Sequence, residues 1–343
     1  MRVLVTGTDG YLGCLVAADL LRDGHEVLGV DTGYYRSGWL YNGLHAVPHT
    51  LTRDIRHLEA SDLAGTDAVV HLAELSNDPV GELIGEVTYD INHRGSVRLA
   101  DLARSAGVQR FVYTSSCSVY GVADGTVDED SPVDPQTAYA RCKVLVERDV
   151  SAMASPGFVP TFLRNATAFG ASPRMRFDIV LNNLSGLAWT RRKIAMTSDG
   201  TPWRPLVHAL DISQAVRLTL AAPADVVRGR VFNVGSNANN CTVREIAETV
   251  AAEFAGCELS FGQPSADNRS YRVAFDRAER ELGLTCAWDV ARGAAQLHRV
   301  FAEVALDAAT FEGRGHTRLA QIQHLLRTRQ VDDQLFWTQP AGV

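Results

Sequence analysis

Tyr139 and Lys143 are the pair of side chains whose types and spacing most directly indicate chemistry in this chain. They lie four residues apart in a segment, residues 136–150, whose composition predicts a helix, so both side chains share one helix face. A lysine ammonium beside a tyrosine favours the phenolate and brings its proton exchange nearer to neutral pH than the free pKa of about 10. The pair predicts a general acid/base for interconverting an alcohol and a ketone, although such a pair alone also occurs on ordinary exposed helices.

Hydroxyl-bearing residues stand at the end of a predicted strand upstream of this pair. The apolar run 110–113 predicts a buried parallel strand, and residues 114–121 after it read Thr-Ser-Ser-Cys-Ser-Val-Tyr-Gly. Open α/β sheets bind ligands at the carboxyl ends of their strands. We therefore expect a serine hydroxyl of this stretch to hold a substrate oxygen while the tyrosine exchanges its proton.

A glycine-rich turn near the N-terminus indicates a dinucleotide. Gly7 and Gly10 follow a β-branched run, residues 2–5, and Gly13 lies near the start of an amphipathic stretch, residues 11–22. Together these predict strand, turn and helix. Gly7 permits the tight turn, Gly10 lets a pyrophosphate approach the backbone, and Gly13 allows the helix to pack closely on the strand. Because both flanks fit this requirement, the glycine triplet predicts a phosphate site at the helix N-terminus.

Asp31 bears on the choice of cofactor. It ends the second predicted strand, residues 26–30, and lies 18 residues after Gly13. An acidic residue at about this distance accepts a hydrogen bond from the ribose 2′-hydroxyl and repels a 2′-phosphate, so the sequence favours NAD over NADP. Two alternatives stay open: Asp31 as an ordinary turn residue, and Arg36 as an acceptor of a phosphate.

Strands and helices alternate along the chain, which predicts an α/β fold. We expect a Rossmann-type doubly wound parallel sheet with a smaller C-terminal substrate-binding lobe. Residues 1–170 are expected to form the NAD-binding domain, with residues 206–235 returning to it. Residues 171–205 and 236–303 are expected to form the substrate-binding lobe, and residues 304–343 a helical C-terminal extension.

Charge and composition narrow the function classes. The 343 residues carry a formal net charge of −7, and no long block of Lys and Arg indicates nucleic-acid binding. No apolar run is long enough to predict a membrane span, and the glycine motif begins too early for a signal peptide, so we expect a cytoplasmic protein. The six cysteines are scattered without a C-x-x-C pair, which predicts free thiols and no metal site.

Taken together and in order, the motifs resemble those of the extended short-chain dehydrogenase/reductases. More narrowly, residues 2–282 are similar to the nucleotide-sugar epimerase/dehydratase group typified by UDP-galactose 4-epimerase. The joint spacing is highly specific for the superfamily and poorly specific for the substrate. The matching positions are Thr6, Gly7, Gly10, Gly13, Asp31, Asp54, Ile55, His71, Leu72, Ala73, Asn92, Ser116, Tyr139, Lys143, Asp199, Gly200 and Arg204.

This resemblance implies roles for individual residues and a homodimer that pairs helices including residues 136–150. Tyr139 is expected to be the acid/base, Lys143 to orient the cofactor ribose and lower the pKa of the tyrosine, and Ser116 to bind the sugar hydroxyl. The expected contacts of NAD are Gly7, Gly10, Tyr11, Leu12, Gly13, Asp31, Asp54, Ile55, Leu72, Ala73, Asn92, Tyr139 and Lys143. Those of the nucleotide-diphosphate sugar are Ser76, Asn77, Ser118, Thr167, Arg176, Asn182, Arg204 and Arg269.

The two residues after Ser116 bear on the reaction type. In the family, sugar 4,6-dehydratases carry Asp-Glu there, to protonate the leaving hydroxyl and remove the C5 proton, and UDP-glucuronate decarboxylases usually carry Glu at the second position. Here the residues are Cys117 and Ser118, which favours epimerisation, most directly at C4 through a 4-keto intermediate. Fucose-synthase-like enzymes use a cysteine beside this position, so a chemical role for Cys117 or Ser118 stays open next to a packing role.

Other positions depart from the family pattern. Thr167 takes the place of a usual asparagine, and residues 76–79 differ from those of UDP-galactose 4-epimerase, so we expect a sugar other than plain UDP-galactose. The alternative reaction is that of a nucleotide-sugar 4-ketoreductase or 4-dehydrogenase. The alternative class is a non-catalytic NAD-sensing regulator, against which the retained Tyr139 and Lys143 argue.

Overall fold

The computed structural model describes residues 1–76, 78–263 and 270–339. Apolar and β-branched runs form its strands, since branched side chains pack well on a pleated surface. In chain order the strands are β1 (Arg2–Thr6), β2 (Glu26–Asp31), β3 (His49–Thr52), β4 (Ala68–His71), β5 (Arg110–Ser116), β6 (Thr126–Val127), β7 (Val159–Asn165), β8 (Thr167–Phe169), β9 (Lys193–Ala195), β10 (Trp203–His208), β11 (Arg230–Val234), β12 (Asn240–Thr242), β13 (Glu258–Ser260) and β14 (Arg272–Val273).

Amphipathic segments form the helices, and side-chain caps set where several of them begin. Thr137 accepts a hydrogen bond from the Ala140 N–H (3.2 Å), so the helix predicted over residues 136–150 starts at 138. In chain order the helices are α1 (Gly13–Arg22), α2 (Asp78–Leu83), α3 (Gly85–Tyr89), α4 (Ser96–Ser105), α5 (Ala138–Ser151), α6 (Val180–Arg191), α7 (Ala209–Ala221), α8 (Ala224–Val227), α9 (Val243–Glu253), α10 (Asp276–Leu282), α11 (Val290–Glu303), α12 (Ala308–Glu312) and α13 (Arg318–Arg327), with a π-helical turn, Asp90–Gly95, between α3 and α4.

One parallel seven-stranded sheet organises the molecule, in the order β11-β7-β5-β4-β1-β2-β3. The chain builds β1, β2 and β3 outward on one side, returns to pair β4 with β1, and continues outward through β5, β7 and β11. This order confirms the predicted doubly wound sheet. The reversal between β1 and β4 leaves a crevice outside the carboxyl ends of the strands, where such sheets bind ligands.

The core lies on both faces of the sheet. Along β1, Val3 and Val5 join the apolar cluster of one face, and Leu4 joins that of the other, because successive side chains of a strand alternate. All three are completely buried. Within the part of the chain that the structure describes, each helix is too short or too polar to cross a membrane.

A smaller layer is built mostly from the residues after β7. Strands β12, β10 and β8 form a three-stranded sheet, while β13 pairs with β9 and β14 with β6. Helices α6, α9 and α11 contact one another around a third apolar cluster that contains Phe169, Phe254 and Phe301, all completely buried. Strand β11 and helix α7 return to the main sheet, where β11 pairs with β7 and α7 packs against α1.

The last described residues fold back onto the first half of the chain. After α13, residues 328–339 return through turns and one antiparallel bridge, Val331 with Trp337, so the predicted helical extension is wrong for these residues. In this return, Trp337 Nε1 donates to the Thr32 carbonyl (2.7 Å), and the Tyr34 hydroxyl donates to the carbonyl of Leu335. We call residues 308–339 the C-terminal strap, because they hold the loop that follows β2.

Candidate active site

A cavity of about 420 Å³ lies at the carboxyl edge of the main sheet, within the size range of small-molecule sites. It collects residues that follow β1, β2, β4, β5 and β7, together with one face of α5. Asn77 and Arg269, predicted to contact the sugar, lie outside the described residues. The predicted site residues that line the cavity are Gly7, Gly10, Tyr11, Leu12, Gly13, Asp31, Asp54, Ile55, Leu72, Ala73, Ser76, Ser116, Ser118, Tyr139, Lys143, Thr167 and Arg176.

The glycine turn presents backbone rather than side chains to the cavity. Gly7 has a φ of 79°, and a Cβ on it would lie 2.9 Å from the Ala73 nitrogen. A Cβ on Gly13 would overlap the Gly7 carbonyl oxygen, and the Gly10 N–H donates to that same oxygen (3.0 Å). Larger side chains would fill the space beside the N-terminus of α1, so this turn fits the pyrophosphate of NAD.

Asp31 ends β2 with its carboxylate at the cavity. Its two oxygens accept the N–H groups of Gly33 (2.8 Å) and Asp9 (3.0 Å). Burial, and then the nearby Asp9 carboxylate, raise the pKa of Asp31 to about 6. Arg36, the arginine considered above as a possible ligand of a 2′-phosphate, already donates to Asp9 (3.5 Å) and to Thr52. A carboxylate here suits the ribose hydroxyls of NAD.

Helix α5 carries Tyr139 and Lys143 into the cavity. Lys143 is 2% exposed, and its ammonium contacts the Glu74 carboxylate and the Thr114 carbonyl. Its Nζ lies 5.2 Å from the centre of the Tyr139 ring and 4.5 Å from the centre of the Tyr113 ring. The spacing of four therefore brings ammonium and phenol together, with the ammonium held from two further directions.

The pKa of Tyr139 differs from the sequence expectation. Burial raises this pKa above its ordinary value, Lys143 lowers it, and the Glu74 carboxylate raises it again. The expected net lowering is therefore wrong here, because desolvation of the phenolate outweighs the ammonium. For Lys143, burial disfavours the charge, but Glu74 and then Tyr139 outweigh it and raise the pKa, so the lysine stays charged.

One residue of the site, Glu74, was not predicted. It follows β4, which pairs with β5 in a register that places His71 opposite Tyr113. The Tyr113 hydroxyl donates to one oxygen of the Glu74 carboxylate (2.5 Å), and Lys143 contacts the other. Burial raises the pKa of Glu74 against the opposing effect of Lys143. The available signal was an acidic residue directly after a buried strand, at the edge where ligand sites form.

The side chains at the end of β5 and in the turn Cys117–Tyr120 point in different directions. Ser116 and Ser118 line the cavity, and the Ser118 hydroxyl is buried without a hydrogen-bond partner among the described residues. Cys117 instead points into the core, 1% exposed, where its thiol donates to the Arg164 carbonyl (3.1 Å) and burial raises its pKa. Of the two roles left open for Cys117, its position favours packing, whereas the Ser118 hydroxyl fits a ligand oxygen.

Three predicted ligand contacts lie outside the cavity lining. Asn92 accepts the Leu75 N–H (2.9 Å) and donates to the Leu75 carbonyl (3.1 Å), so it braces the loop after β4. Asn182 donates to the Arg176 carbonyl (3.1 Å) and so helps to hold the backbone of that arginine in place. Arg204 lies on β10, whose residues do not contribute to the lining. The contacts predicted for Asn92 with NAD and for Asn182 and Arg204 with the sugar stay predictions, and none of the three residues is part of the described lining.

Arg176 supplies positive charge at the cavity. Its guanidinium binds the Asp178 carboxylate through two hydrogen bonds of 2.9 Å and also donates to the Ser76 hydroxyl (3.1 Å). All three residues line the cavity, and the charge of Arg176 lowers the pKa of Tyr139. A guanidinium in this position suits a phosphate oxygen as well as a carboxylate.

Comparison with known proteins places this architecture in a wider group. The family model described as "NAD dependent epimerase/dehydratase family" matches residues 3–235. The UDP-glucose 4-epimerase of Mycolicibacterium smegmatis is 30% identical over 323 residues, which cover 88% of this chain and 98% of that protein. The dTDP-glucose 4,6-dehydratase of Streptomyces griseus is 30% identical over 240 residues, which cover 68% of this chain and 71% of that protein.

Solved structures agree in fold. The structure of MoeE5 in complex with UDP-glucuronic acid and NAD is 28% identical, with a TM-score of 0.76, and the match covers 89% of this chain and 100% of that one. The names of the similar proteins include an epimerase and a dehydratase, so similarity alone does not select the reaction.

Proposed function

Because this chain belongs to the NAD-dependent epimerase/dehydratase family and is an NAD-dependent enzyme, we propose that it epimerises a nucleotide-activated sugar at C4. The relatives support the substrate class, since they are named for UDP-glucose and dTDP-glucose, and MoeE5 is in complex with UDP-glucuronic acid and NAD. The reaction type is supported by the residues that face the cavity.

Three features of the cavity would hold the cofactor. The backbone of Gly7, Gly10 and Gly13 fits its pyrophosphate, the Asp31 carboxylate would accept hydrogen bonds from its ribose hydroxyls, and the Lys143 ammonium would donate to its second ribose. Bound NAD would supply a reversible acceptor for the hydride of the sugar carbon.

The proton chemistry belongs to Tyr139. Its Oη removes the proton of the 4-hydroxyl during oxidation and returns it during reduction, which makes it a general base and then a general acid. The charge of Lys143 stabilises the phenolate between these two steps. Ser116 and Ser118 present hydroxyls to the same cavity, where they hold the sugar oxygen near Tyr139.

A single observation carries the choice of epimerisation: no carboxylate follows Ser116 at the cavity edge. Cys117 is turned into the core and Ser118 offers only a hydroxyl. Eliminating water needs one group to protonate the leaving hydroxyl and another to remove the C5 proton. The buried Glu74 does not replace them, because both oxygens of its carboxylate are held, one by Tyr113 and one by Lys143. Epimerisation needs only one acid/base group.

The test is a panel of UDP-, dTDP-, GDP- and CDP-hexoses, each incubated with the enzyme and a catalytic amount of NAD. Products are analysed by mass spectrometry and proton NMR, in ordinary and heavy water. We expect one nucleotide hexose to be converted to an isomer of equal mass, with no deuterium incorporated at C5. A product lighter by one water would contradict epimerisation and favour dehydration.

The 4-ketoreductase or 4-dehydrogenase alternative gives a different result in the same panel. It would need NADH or NAD in an amount equal to the sugar, and the product would differ in mass by two hydrogens. Absorbance of the reduced nicotinamide, followed during turnover, separates the two reactions. We expect no net change in that absorbance.

A further inference from the structure

Arg318 is a cavity residue that neither the motifs nor the proposed mechanism assigns. It is the first residue of α13, in the C-terminal strap, and it lines the same cavity as Tyr35, Arg176 and Asp178. The strap keeps this helix close to the loop after β2, because Gln321 on α13 donates to the Tyr34 carbonyl (2.8 Å). A segment far from the glycine turn in sequence therefore contributes a cation to the ligand cavity.

The Tyr35 ring contacts one face of the Arg318 guanidinium. The side chain is 5% exposed, and its Cζ lies 4.0 Å from the centre of the Tyr35 ring, a cation–π contact. Among residues 1–76, 78–263 and 270–339, no hydrogen bond or ion pair of Arg318 is formed. The five N–H donors at the edge of the guanidinium are therefore available to a ligand in the cavity.

Burial and a neighbouring arginine disfavour the charge of Arg318. Burial, and then Arg176, lower the pKa of Arg318 to about 10. Tyr35, Asp178 and Asp31 act in the opposite direction, but the Asp178 carboxylate is bound by Arg176 through two hydrogen bonds. The position at the start of a helix adds to the cost, since the N-terminal end of the helix dipole is positive. A buried cation in such a place calls for a negative partner.

The N-terminus of α13 offers a second group of donors. Thr317 is its N-cap residue, and the Thr317 side chain makes no capping hydrogen bond to the described helix. The first N–H groups of a helix have no partner within the helix, and anions bind there. A guanidinium and uncapped N–H groups thus lie at one helix end beside the cavity.

We propose that Arg318 binds phosphate oxygens of a diphosphate ligand, so that the C-terminal strap contributes a guanidinium to the cavity beside Arg176. A planar guanidinium binds phosphate oxygens through two parallel hydrogen bonds. The donors of Arg318 have no partner among the described residues, whereas most of those of Arg176 are bound to Asp178 and Ser76. This inference rests on the proposed function, because the two ligands of that reaction each carry a diphosphate: the dinucleotide and the nucleotide sugar. Both sources share the chemistry that Arg318 recognises, and the experiment separates them.

The test measures ligand affinity of Arg318→Met, which removes the charge and keeps an unbranched apolar side chain. Isothermal titration calorimetry with NAD⁺ and, separately, with UDP gives the two dissociation constants. Arg327→Met is the matched control, because Arg327 ends the same helix and is exposed. We expect Arg318→Met to raise at least one dissociation constant about tenfold or more, as for loss of hydrogen bonds to a charged group. A loss for NAD⁺ alone assigns the dinucleotide, and a loss for UDP alone assigns the nucleotide sugar.

Thermal melting without ligand distinguishes a binding role from a structural one. If Arg318 is kept for a ligand, Arg318→Met melts at the temperature of the parent protein or above it, because an unpaired buried charge has been removed. Arg318→Lys keeps the charge without the planar fork and is expected to lose part of the affinity. Unchanged affinities for both ligands in a folded Arg318→Met variant would overturn the proposal, as would an equal loss in Arg327→Met. These binding measurements need no turnover, so an inactive but ligand-binding enzyme would contradict only the proposed epimerisation.

Discussion

Two buried cations, Lys143 and Arg318, line the cavity, and they differ in the partners that the protein gives them. Lys143 is bound by the Glu74 carboxylate and the Thr114 carbonyl, whereas Arg318 has the ring of Tyr35 on one face and no hydrogen bond among the described residues. Both side chains are at least nineteen-twentieths buried, with exposures of 2% and 5%. Equal burial with unequal partners indicates different purposes.

This difference shows which cation of the cavity the protein holds in place before a ligand binds. At the catalytic end, Glu74 and Thr114 hold the ammonium in place, so Tyr139 always has a positive charge nearby. Such preorganisation reduces the reorganisation needed during reaction. At the strap end, the charge of Arg318 is left for the ligand to complete.

The largest effect is expected from removing the acid/base itself. Tyr139→Phe deletes one hydroxyl at the cavity, so the fold and NAD binding should persist while turnover falls by about 10²-fold or more. Tyr113→Phe is the matched control, since it removes a hydroxyl that contacts Glu74 and does not line the cavity. Steady-state kinetics on the substrate found in the panel compare the two variants. Near-parental turnover by Tyr139→Phe would contradict the role of Tyr139 as the acid/base.

Breaking the partner of Lys143 should cost stability. Glu74→Gln leaves the buried ammonium without its counter-charge, and we expect the free energy of unfolding to fall by about 3 kcal/mol. Urea denaturation followed by circular dichroism measures this change. Glu86→Gln serves as control, because Glu86 is an exposed carboxylate whose side chain is 91% accessible. Equal stability of Glu74→Gln and the parent would mean that Lys143 is not held by this pair.

Asp31→Ala tests the carboxylate that is proposed to bind the ribose hydroxyls of NAD. Loss of hydrogen bonds to the ribose should weaken NAD binding about tenfold and weaken NADP binding less. Asp101→Ala is the control, since the Asp101 side chain is 55% exposed on α4. Dissociation constants for both cofactors come from fluorescence titration of their reduced forms. Equal constants for the two cofactors in the parent protein would contradict the assignment of Asp31.

The smallest expected effect concerns pH. The Glu74 carboxylate raises the pKa of Tyr139, so Glu74→Gln should lower that pKa. Because the phenolate is the active base, kcat/KM rises as Tyr139 deprotonates, and this limb of the pH profile should move to lower pH in Glu74→Gln. Lys143→Gln should move the same limb to higher pH, since it removes the charge that favours the phenolate. Shifts in the reverse directions would contradict the electrostatic roles given to both residues.

Local motifs were sufficient for much of this architecture. The glycine turn, Asp31 and the pair Tyr139 and Lys143 each depend on short spacing, on strand ends or on helix period, and these features are readable without tertiary contacts. Alternation of strands and helices was enough for the doubly wound sheet, because right-handed crossovers leave few other arrangements.

The remaining features depend on contacts between distant parts of the chain. Glu74 meets Lys143 only because β4 and β5 are neighbours, and Arg318 enters the cavity only because the strap returns to the loop after β2. A local limit is seen at Cys117: the tight turn buries this side chain in the core while Ser116 and Ser118 on either side line the cavity, and residue types do not reveal this. The π-helical turn that aims Asn92 at Leu75 likewise left no signal in the helix pattern.

The most direct test of the central claim follows one hydrogen atom. The nucleotide hexose identified in the panel is prepared with deuterium at C4 and incubated in ordinary water with catalytic NAD. If the enzyme oxidises C4 and returns the same hydrogen to the opposite face, the product is an isomer of equal mass that keeps its deuterium at C4, as proton NMR and mass spectrometry will show. A product that has lost water, or an isomer whose C4 deuterium has been replaced by solvent hydrogen, would contradict the account.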